Sequence, residues 1–330
     1  MSMHRIKLII LCLFCLPVFA SEQDVDYLSL SFENDVFFRE DDGYSNGFTF
    51  NWGYYDVSHL NESSLPTWLS FLAKQSYINH FDDRQYQVNY TFGQFIQTAT
   101  DIKISELTEK DAPYVGLIAW KANIMAYNDN ISDELSLTLG AVGPATGGET
   151  IQKNLHDVIR ANRPLGWDNQ INNEVVFRIE GERLWRHSIA SFKQTEMDLV
   201  TGINAGFGNL LSDVNVGIGL RWGKALSANF SSSSPFMIQK LNGLKPNPNG
   251  WYVFANLSTS LVLNDIFIDG NTFEDSHSVD LIHWQAGLAA GIQLNLYDWN
   301  IIYTMIHSTD QYETQSDETR WGDITVTYHF

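Results

Sequence analysis

Apolar and polar residues alternate in short stretches along most of the chain. In the final stretch, WGDITVTYHF, Ile324, Val326, Tyr328 and Phe330 alternate with mostly polar residues, which is the period of a β-strand with one apolar face. Residues 282–294 repeat this pattern over a length sufficient to cross a bilayer. Similar segments begin near residues 25, 46, 85, 114, 133, 173, 191, 214, 251, 279, 298 and 321.

The number and the faces of these segments indicate a membrane barrel. A soluble β-sandwich also alternates, but it seldom places aromatic residues at both ends of its strands. Bacterial single-chain barrels have an even number of strands, an apolar lipid-facing side and aromatic girdles. The sequence therefore predicts an all-β fold, a transmembrane antiparallel β-barrel of about 12 strands. Six tryptophans are expected to anchor it at the membrane interfaces: Trp52, Trp120, Trp251, Trp284, Trp299 and Trp321.

The chain begins with a segment typical of secreted proteins. Residues 1–20, MSMHRIKLIILCLFCLPVFA, combine a basic start, an apolar run and a small residue before the expected cleavage site. We therefore expect a signal peptide at residues 1–20 and one barrel domain at residues 21–330. Both cysteines, Cys12 and Cys15, fall within the signal peptide, so the mature protein is expected to lack thiol chemistry and disulfides. The formal net charge of −19 argues against a nucleic-acid partner, because such a chain has little basic surface to neutralise phosphates.

The strand order predicts which connections face the outside of the cell. Both termini of an even-numbered barrel lie in the periplasm, so odd-numbered strands run outward. Two periplasmic connections are unusually long: residues 57–84, which include the helix-like LPTWLSFLAKQ, and residues 224–250, which are rich in Ser, Pro, Asn and Gly. Periplasmic turns are normally short, and the sequence supplies no reason for these two exceptions. The extracellular connections are expected at residues 36–45, 97–113, 143–172, 208–213, 265–278 and 308–320.

One extracellular connection is predicted to contain a short helix. The stretch GPATGGETIQKNLHDVIRANRPLGW, residues 143–167, is typical of a glycine turn followed by an amphipathic helix with His156 near its middle. His156 lies beside an apolar stripe that we expect to pack against the barrel. The stripe consists of residues at helical spacing: Ile151, Leu155, Val158 and Ile159.

The first extracellular loop, within FENDVFFREDDGYSNG, belongs to the same rim of the barrel. Alternation along strands one and two places Asp35 and Ser45 on their inward faces. These two side chains are therefore expected to converge on the mouth of the lumen. The acidic run at residues 39–43 lacks the spaced ligands of an EF-hand, so a hydrated loop is the simpler interpretation.

A series of motifs resembles, in order, the outer-membrane lipid A 3′-O-deacylase family: FENDVFF, GYSNGFTFNWG, FGQFIQT, DAPYVGLIAW, LGAVGPATGGETIQKNLH and GWDNQINNE. The likeness spans most of the chain after residue 20, and its most specific part runs from Gly143 to Glu174. It implies a twelve-stranded barrel with a short extracellular helix in the outer membrane of a Gram-negative bacterium. It further implies a calcium-dependent ester hydrolase that removes the 3′-linked acyloxyacyl chain of lipid A in the outer leaflet, at the extracellular side.

The same resemblance implies roles for five residues. His156 would be the general base that takes a proton from water, and Gln152 would be its neighbour on the same helix face. Asn34 and Asp35 match the family's pair at the calcium or oxyanion site, and Ser45 matches its small hydroxyl residue across the first loop. A Ca²⁺ ion held by such oxygens would polarise the ester carbonyl. The implied partners are lipopolysaccharide as substrate and the surrounding outer-membrane lipids.

The residues support this chemistry only in part. A neutral imidazole is a competent base near neutral pH, and no serine nucleophile is then needed. However, no carboxylate is evident that would orient His156, because Asp157 lies on a different helix face and residue 162 is Asn. Basic residues in the loops are candidates for contacts with the lipid A phosphates: Lys103, Arg160 and Arg163.

Two other functions remain open at this point, as does the oligomeric state. The same barrel would suit a non-enzymatic protein, either a narrow channel or a surface-binding protein. A phospholipase would need a serine nucleophile on the lipid-facing wall. SSSSPF, residues 231–236, offers serines, but it falls in an inner connection and its composition is typical of a flexible turn.

Overall fold

The computed structural model describes residues 24–34, 44–57, 67–81, 83–226, 234–236, 250–316 and 319–330. Within these ranges, twelve antiparallel β-strands form one closed barrel in which the first strand also pairs with the last. The predicted fold class and strand number are confirmed. The strands are β1 (Tyr27–Asn34), β2 (Tyr44–Val57), β3 (Gln85–Gln97), β4 (Val115–Tyr127), β5 (Ile131–Val142), β6 (Glu174–Ser191), β7 (Glu196–Phe207), β8 (Leu211–Lys224), β9 (Trp251–Asp265), β10 (Trp284–Leu296), β11 (Trp299–Ser308) and β12 (Thr319–His329).

Helices occupy some of the connections between strands. They are α1 (Thr67–Gln75), α2 (Gly148–Ile159) and the four-residue α3 (Ile266–Asp269). Both regions expected to be helical, LPTWLSFLAKQ and the loop with His156, contain one. Across the described ranges, no helix is both long and apolar enough to cross a membrane. The expected signal peptide, residues 1–20, lies outside the described residues.

The barrel wall has an apolar outer side. From Val214 to Trp222 of β8 the residues that point outward are all exposed and apolar, while Asn215 and Arg221 between them are buried inside. Exposing so many large apolar groups to water would be unfavourable, but hydrocarbon solvates them well. The outer wall is therefore the side that suits lipid. The outward residues of β8 are Val214, Val216, Ile218, Leu220 and Trp222.

Charged groups inside the barrel pair with one another. Arg221 Nη2 and Arg186 Nε both contact Asp198 Oδ2, at 2.7 and 2.5 Å. Arg178 Nη2 lies 2.7 Å from Asp213 Oδ1. All five side chains are largely buried, and a buried charge is tolerated when it is paired and hydrogen-bonded. The polar lumen thus accounts for the inward half of the alternating pattern.

The two ends of the barrel differ in their connections. At one end the two ends of the described chain meet, where the backbone N–H of Phe330 donates to the carbonyl oxygen of Asp26. Three hairpins at this end are tight, with turns at residues 128–130, 192–195 and 297–298. The opposite end carries the long connections 98–114, 143–173 and 266–283, and α2 is among them.

The long connection between β2 and β3 covers part of the outer wall. Leu69 and Ala73 of α1 and Ile78 of the following 3-10 turn (Tyr77–His80) pack on outward residues of β2, β3 and β4. Trp120 is one of these covered residues: it is 5% exposed and stacks on Tyr90 with 5.9 Å between ring centroids. The prediction that Trp120 is a lipid-facing anchor was therefore wrong, because sequence spacing did not reveal the cover.

The long connection between β8 and β9 enters the lumen. Phe236 is buried against Leu184 and Val200, which point inward from β6 and β7. A Cβ added to Gly202 or Gly217 would come within 3.1 Å of the Phe236 ring, so these inward glycines leave the space that Phe236 fills. This contact supplies a reason for the length of the connection that the sequence alone did not. Residues 227–233 and 237–249 lie outside the described residues.

Candidate active site on the outer wall

Helix α2 lies against the outer side of the barrel wall. Gly116 has the same outward direction as Ile118 and Trp120 along β4, and a Cβ built on it would contact Thr146 and lie 3.3 Å from the Cα of Gly148, the first residue of α2. Gln94, which points outward from β3, donates from Nε2 to the carbonyl oxygen of Thr146 at 3.3 Å. The helix therefore begins outside the barrel, against β3 and β4.

The buried face of α2 is polar, contrary to the expectation from its sequence. Gln152 is fully buried and His156 is 4% exposed, and with Gly148 they form one face at i, i+4 and i+8. Of the predicted apolar stripe, Ile151 and Ile159 are almost half exposed and Val158 is 80% exposed. The prediction that the stripe packs on the barrel was wrong, because it assumed water around the helix. Next to a lipid-facing wall, apolar residues are stable on the outside.

Trp167 holds the amide of Gln152 in one orientation. The indole Nε1 donates to Gln152 Oε1 at 2.7 Å, and indole nitrogen is only a donor, so the amide oxygen must face it. Gln152 Nε2 then points away from Trp167, is buried, and has no hydrogen-bond partner in the part of the chain that the structure describes. A buried donor without a partner is costly and favours an acceptor supplied from outside the chain.

Trp167 itself is held by close packing. It belongs to the 3-10 turn Gly166–Asn169 and is 1% exposed. Its ring meets the edge of Tyr114 with 5.3 Å between centroids, and a Cβ on Gly148 would lie 2.8 Å from its Cη2 atom. Burial raises the pKa of Tyr114 to about 12, so its phenol is protonated at neutral pH.

The imidazole of His156 is oriented by a backbone carbonyl. Nδ1 lies 2.5 Å from the carbonyl oxygen of Asn162, and because a carbonyl only accepts, Nδ1 carries the proton. In the neutral ring Nε2 then has the lone pair, and it makes no hydrogen bond to the described residues. The sequence revealed no carboxylate partner for His156, and the structure supplies a main-chain oxygen in that position.

The loop after α2 turns back because of its first residue. Arg160 adopts a left-handed conformation, with φ of 60°, and its N–H donates to the carbonyl oxygen of His156. Beyond it, Arg163 donates to both carboxylate oxygens of Asp157, at 2.8 and 2.5 Å. The hydrogen bonds from Arg163 lower the pKa of Asp157. This pair spans the loop that carries the carbonyl of Asn162.

Asn34 lies on the same outer side of the wall as α2. It follows the outward residues Leu30 and Phe32 along β1, it is 5% exposed, and it pairs in register with Asn46 of β2. Asn46 in turn pairs with Ile96 of β3, which packs on Trp167. Two strand spacings, about 10 Å, thus separate Asn34 from the wall beneath the helix.

Two residues of the predicted site cannot be located in this way. Asp35 lies outside the described residues, and Ser45 is placed only by its backbone, at the start of β2. Their expected convergence on the lumen mouth stays a prediction. Gln152 and His156, by contrast, lie on the outer wall and not in the lumen.

Near the site, the described residues offer neutral oxygen ligands for a cation but few carboxylates. Asn34 and Asn46 are neighbouring buried amides, and amide oxygens are among the ligands that Ca²⁺ accepts. Within the described ranges, no group of three or more His, Cys, Asp or Glu side chains is arranged to hold a metal ion. The donor set therefore fits calcium in type, and the carboxylates Glu33 and Asp35 flank Asn34 in sequence.

Several residues of the site were not identified from the sequence. Trp167, Tyr114 and Asn46 were not among the predicted site residues, and Asn162 was considered only as a side chain. One signal was available: Gly148, Gln152 and His156 recur every fourth residue, which marks a common helix face. The contribution of Asn162 had no signal, because every residue has a carbonyl oxygen.

The barrel and the site together define a class of protein. A closed barrel with an apolar outer wall carries, at the end opposite its termini, a histidine and a glutamine sealed between a helix and that wall. Such a protein is an outer-membrane β-barrel with its candidate site at the lipid-facing surface. The chain belongs to the family described as outer membrane protein LpxR, whose model matches residues 8–330. The predicted membership of the lipid A 3′-O-deacylase family is confirmed.

A solved structure agrees with the fold. LpxR from Salmonella typhimurium superposes with a TM-score of 0.76 at 16% identity, over 92% of this chain and all of that one. The β-domain of the Bordetella autotransporter BrkA gives a TM-score of 0.46 at 8% identity, over 93% of this chain and all of that one. No curated protein sequence matches the chain.

Proposed function

We propose that this protein is a lipid A 3′-O-deacylase, a calcium-dependent ester hydrolase that removes the 3′-linked acyloxyacyl chain in the outer leaflet. One observation carries the proposal. His156 is sealed between α2 and the outer wall, with Nδ1 donating to the carbonyl of Asn162 and Nε2 without a hydrogen bond to the described chain. A neutral imidazole held in this tautomer is a general base.

The chemistry requires one proton carrier and no covalent enzyme intermediate. His156 Nε2 takes a proton from water while the water oxygen bonds to the ester carbonyl carbon, and the carbonyl electron pair moves to oxygen. The tetrahedral oxyanion then collapses and breaks the bond to the 3′ oxygen of the sugar. The protonated Nε2 returns its proton to that oxygen. The products are an acyloxyacyl carboxylic acid and lipid A with a free 3′-hydroxyl group.

Gln152 is the residue that we assign to the oxyanion. Its Nε2 group is a buried donor without a partner in the described chain, on the same helix face as His156. A fixed donor that faces the developing negative charge lowers the activation barrier of the hydrolysis, because it does not have to reorganise during the reaction. Trp167 acts as a positioning residue, because its indole keeps the amide oxygen away from the substrate.

Calcium is assigned to Asn34 and Asp35, and this assignment replaces the inward direction expected for Asp35 from strand alternation, because β1 ends at Asn34. Bound there, the ion would supply Lewis-acid polarisation of the ester carbonyl. Asn34 is buried on the outer wall in β1, two strands from β3 beneath α2. This position supports a calcium ion placed beside the carbonyl group of the substrate. Ser45, at the start of β2, is assigned to the same edge of the site.

The position of the site supports a lipid substrate at the extracellular side. Long connections and α2 occupy the end opposite the termini, which is the extracellular end in bacterial barrels. The exposed Ile151, Val158 and Ile159 then face the acyl chains of the outer leaflet, with the ester at the level of His156. A barrel lumen occupied by Phe236 argues against the channel alternative, and Ser234 bound to Glu182 inside the barrel argues against a phospholipase that uses this serine.

Mass spectrometry of lipid A from cells that express the protein tests the proposal. The parent is expected to remove one acyloxyacyl unit, and His156→Ala is expected to remove none. His187→Ala, which changes an exposed histidine on β6, is the matched control and should act as the parent does. Heat-modifiable gel mobility establishes that each variant folds. Chelation of Ca²⁺ with Mg²⁺ retained should stop the reaction.

The outcomes separate the parts of the proposal. Unchanged lipid A with folded parent protein and Ca²⁺ present would refute the deacylase and leave a binding barrel. Activity that survives His156→Ala would place the base elsewhere. Activity that survives chelation would remove calcium from the mechanism.

A further inference from the structure

Two arginines share one aspartate on the outer wall near the end where the termini meet. Asp133 Oδ2 lies 2.6 Å from Arg84 Nη1, and Asp133 Oδ1 lies 2.6 Å from Arg183 Nε. The ring of Phe81 lies 4.3 Å from Arg84 Cζ and 6.0 Å from Arg183 Cζ. Asp133 and Arg183 are register partners in β5 and β6, on the outward face. Among the described residues, Asp133 is the buried carboxylate of this group, and it balances only one of the two guanidinium charges.

The excess charge is available at Arg183. Its side chain is 40% exposed, and only Nε is engaged, so both terminal nitrogens lack a hydrogen-bond partner in the described chain. Arg84 is enclosed, at 8% exposure, and bonds to Asp133. A second carboxylate among the described residues, Asp83, lies 3.9 Å from Arg84 Nε and is 78% exposed, so water screens it.

A gap in the wall lies next to Arg183. Gly181 is the preceding outward residue of β6, and a Cβ built there would meet only Glu134 O and Tyr77 Oη, both at 3.9 Å. Tyr77, which follows α1 and is 47% exposed, donates from its hydroxyl to Glu134 O at 3.2 Å and forms one side of the gap. The next outward residue, Ile179, is exposed and apolar. We call this gap, formed by Tyr77, Gly181 and Arg183, the basic notch.

We propose that the basic notch binds one anionic phospholipid of the leaflet that faces the periplasm, with its phosphate on the terminal nitrogens of Arg183 and one acyl chain along Gly181 and Ile179. The assignment to that leaflet rests on the sidedness in the proposed function. The binding itself does not.

Three properties favour a phospholipid at this place. Along β6 the outward face changes from apolar Ile179 to charged Arg183 within four residues, as at the boundary between hydrocarbon and headgroups. Trp185, the next outward residue, is of the type enriched at that boundary. Arginine presents paired donors that match phosphate oxygens, and basic groups at this level attract anionic headgroups. A gap one glycine wide suits a single chain and not a protein surface.

Native mass spectrometry of the purified full-length mature barrel in detergent tests the proposal, with dioleoyl phosphatidylglycerol and dioleoyl phosphatidylcholine as probes. The parent is expected to retain phosphatidylglycerol in preference to phosphatidylcholine. Arg183→Gln should weaken phosphatidylglycerol binding about fivefold, the effect of one basic residue at an anionic surface. Gly181→Leu, which fills the notch without a change of charge, should weaken both lipids.

The matched control is Lys224→Gln, which removes one exposed outward cation at the same end of β8. It should bind phosphatidylglycerol as the parent does. Inorganic phosphate at the lipid concentration should not displace the lipid, and displacement would identify a free-anion site instead. Equal binding by the parent, Arg183→Gln and Gly181→Leu, each shown to fold by heat-modifiable mobility, would overturn the proposal.

Two further measurements separate this proposal from the proposed function. His156→Ala should bind phosphatidylglycerol normally, whatever its effect on lipid A. Lys74→Cys places a thiol on α1, on the side of the membrane assigned to the periplasm. It should react with an impermeant maleimide in whole cells only after the outer membrane is permeabilised. The label should be specific for this position, because both native cysteines lie within the expected signal peptide, residues 1–20. Reaction in intact cells would overturn the leaflet assignment even if the deacylase activity is found.

Discussion

Nδ1 of His156 donates to the carbonyl oxygen of Asn162 across 2.5 Å, within the loop that ends its own helix. Histidine bases are often oriented by a carboxylate, which adds negative charge beside the ring. Here a neutral main-chain oxygen fixes the tautomer and leaves the side chain at residue 162 without a role in the contact.

The side chain of Asn162 is therefore expected to be dispensable. Asn162→Ala should keep lipid A deacylation near the parent rate, because the carbonyl remains in place. Lipid A mass spectra from matched expression levels provide the measurement, with His156→Ala as the inactive reference. A loss with Asn162→Ala as large as that with His156→Ala would mean that the amide, not the carbonyl, serves the site.

Removal of the Trp167 indole donor should affect both stability and rate. Trp167→Phe keeps most of the ring but leaves the buried Oε1 atom of Gln152 unpaired, which costs about 1–3 kcal/mol. The amide is then free to rotate, so kcat should fall while KM changes little. Urea unfolding and detergent kinetics measure the two effects. When Gln152 is already replaced in Gln152→Met, the change Trp167→Phe should reduce the free energy of unfolding by less, since no amide remains to be hydrogen-bonded.

The exposed apolar edge of α2 is expected to matter only in a membrane. Val158→Asp places a charge where acyl chains would contact the helix, whereas Val158→Leu preserves the apolar surface. Activity of the Asp variant should fall on lipid A in vesicles and persist on lipid A dispersed in detergent. Equal loss in both media would instead indicate damage to the helix itself.

The pair Asp157–Arg163 makes loop stability depend on pH in a defined direction. Its hydrogen bonds lower the pKa of Asp157 in the folded protein. The stabilisation is then present above the unfolded pKa, about 3.9, and is lost as pH falls through the lower folded value. The parent should resist heat inactivation slightly better than Arg163→Gln at neutral pH, and the two should converge in acid or high salt. A difference that grows in acid would contradict this assignment.

The left-handed backbone at Arg160 predicts a tolerance for glycine. Glycine adopts φ near 60° without strain, so Arg160→Gly should be neutral or stabilising by up to about 1 kcal/mol. Arg160→Val should destabilise the loop, because a β-branched side chain is unfavourable there. Chemical unfolding of both variants, together with lipid A deacylation, measures whether this conformation carries the carbonyl of Asn162 to His156.

The sequence alone determined the barrel. Alternation is a local property of each strand, and an outer wall in lipid and a polar lumen impose the same two-residue period on all twelve. The strand count and the regions of α1 and α2 followed from such local patterns. The family, and with it the choice of His156 and Gln152 as candidates, followed from the resemblance of the motifs.

Only the tertiary structure decided where the surfaces of those elements go. The pattern of α2 does not distinguish a core from a lipid environment, so its apolar stripe was assigned to the wrong side. Three contacts had no such pattern. Helix α1 covers Trp120 and Phe236 enters the lumen, and both contacts join residues that are separated in sequence. The carbonyl of Asn162 contacts His156 through the main chain. Such contacts depend on how the closed barrel and its connections pack in space, and the order of side chains along the chain has no periodic signal for them.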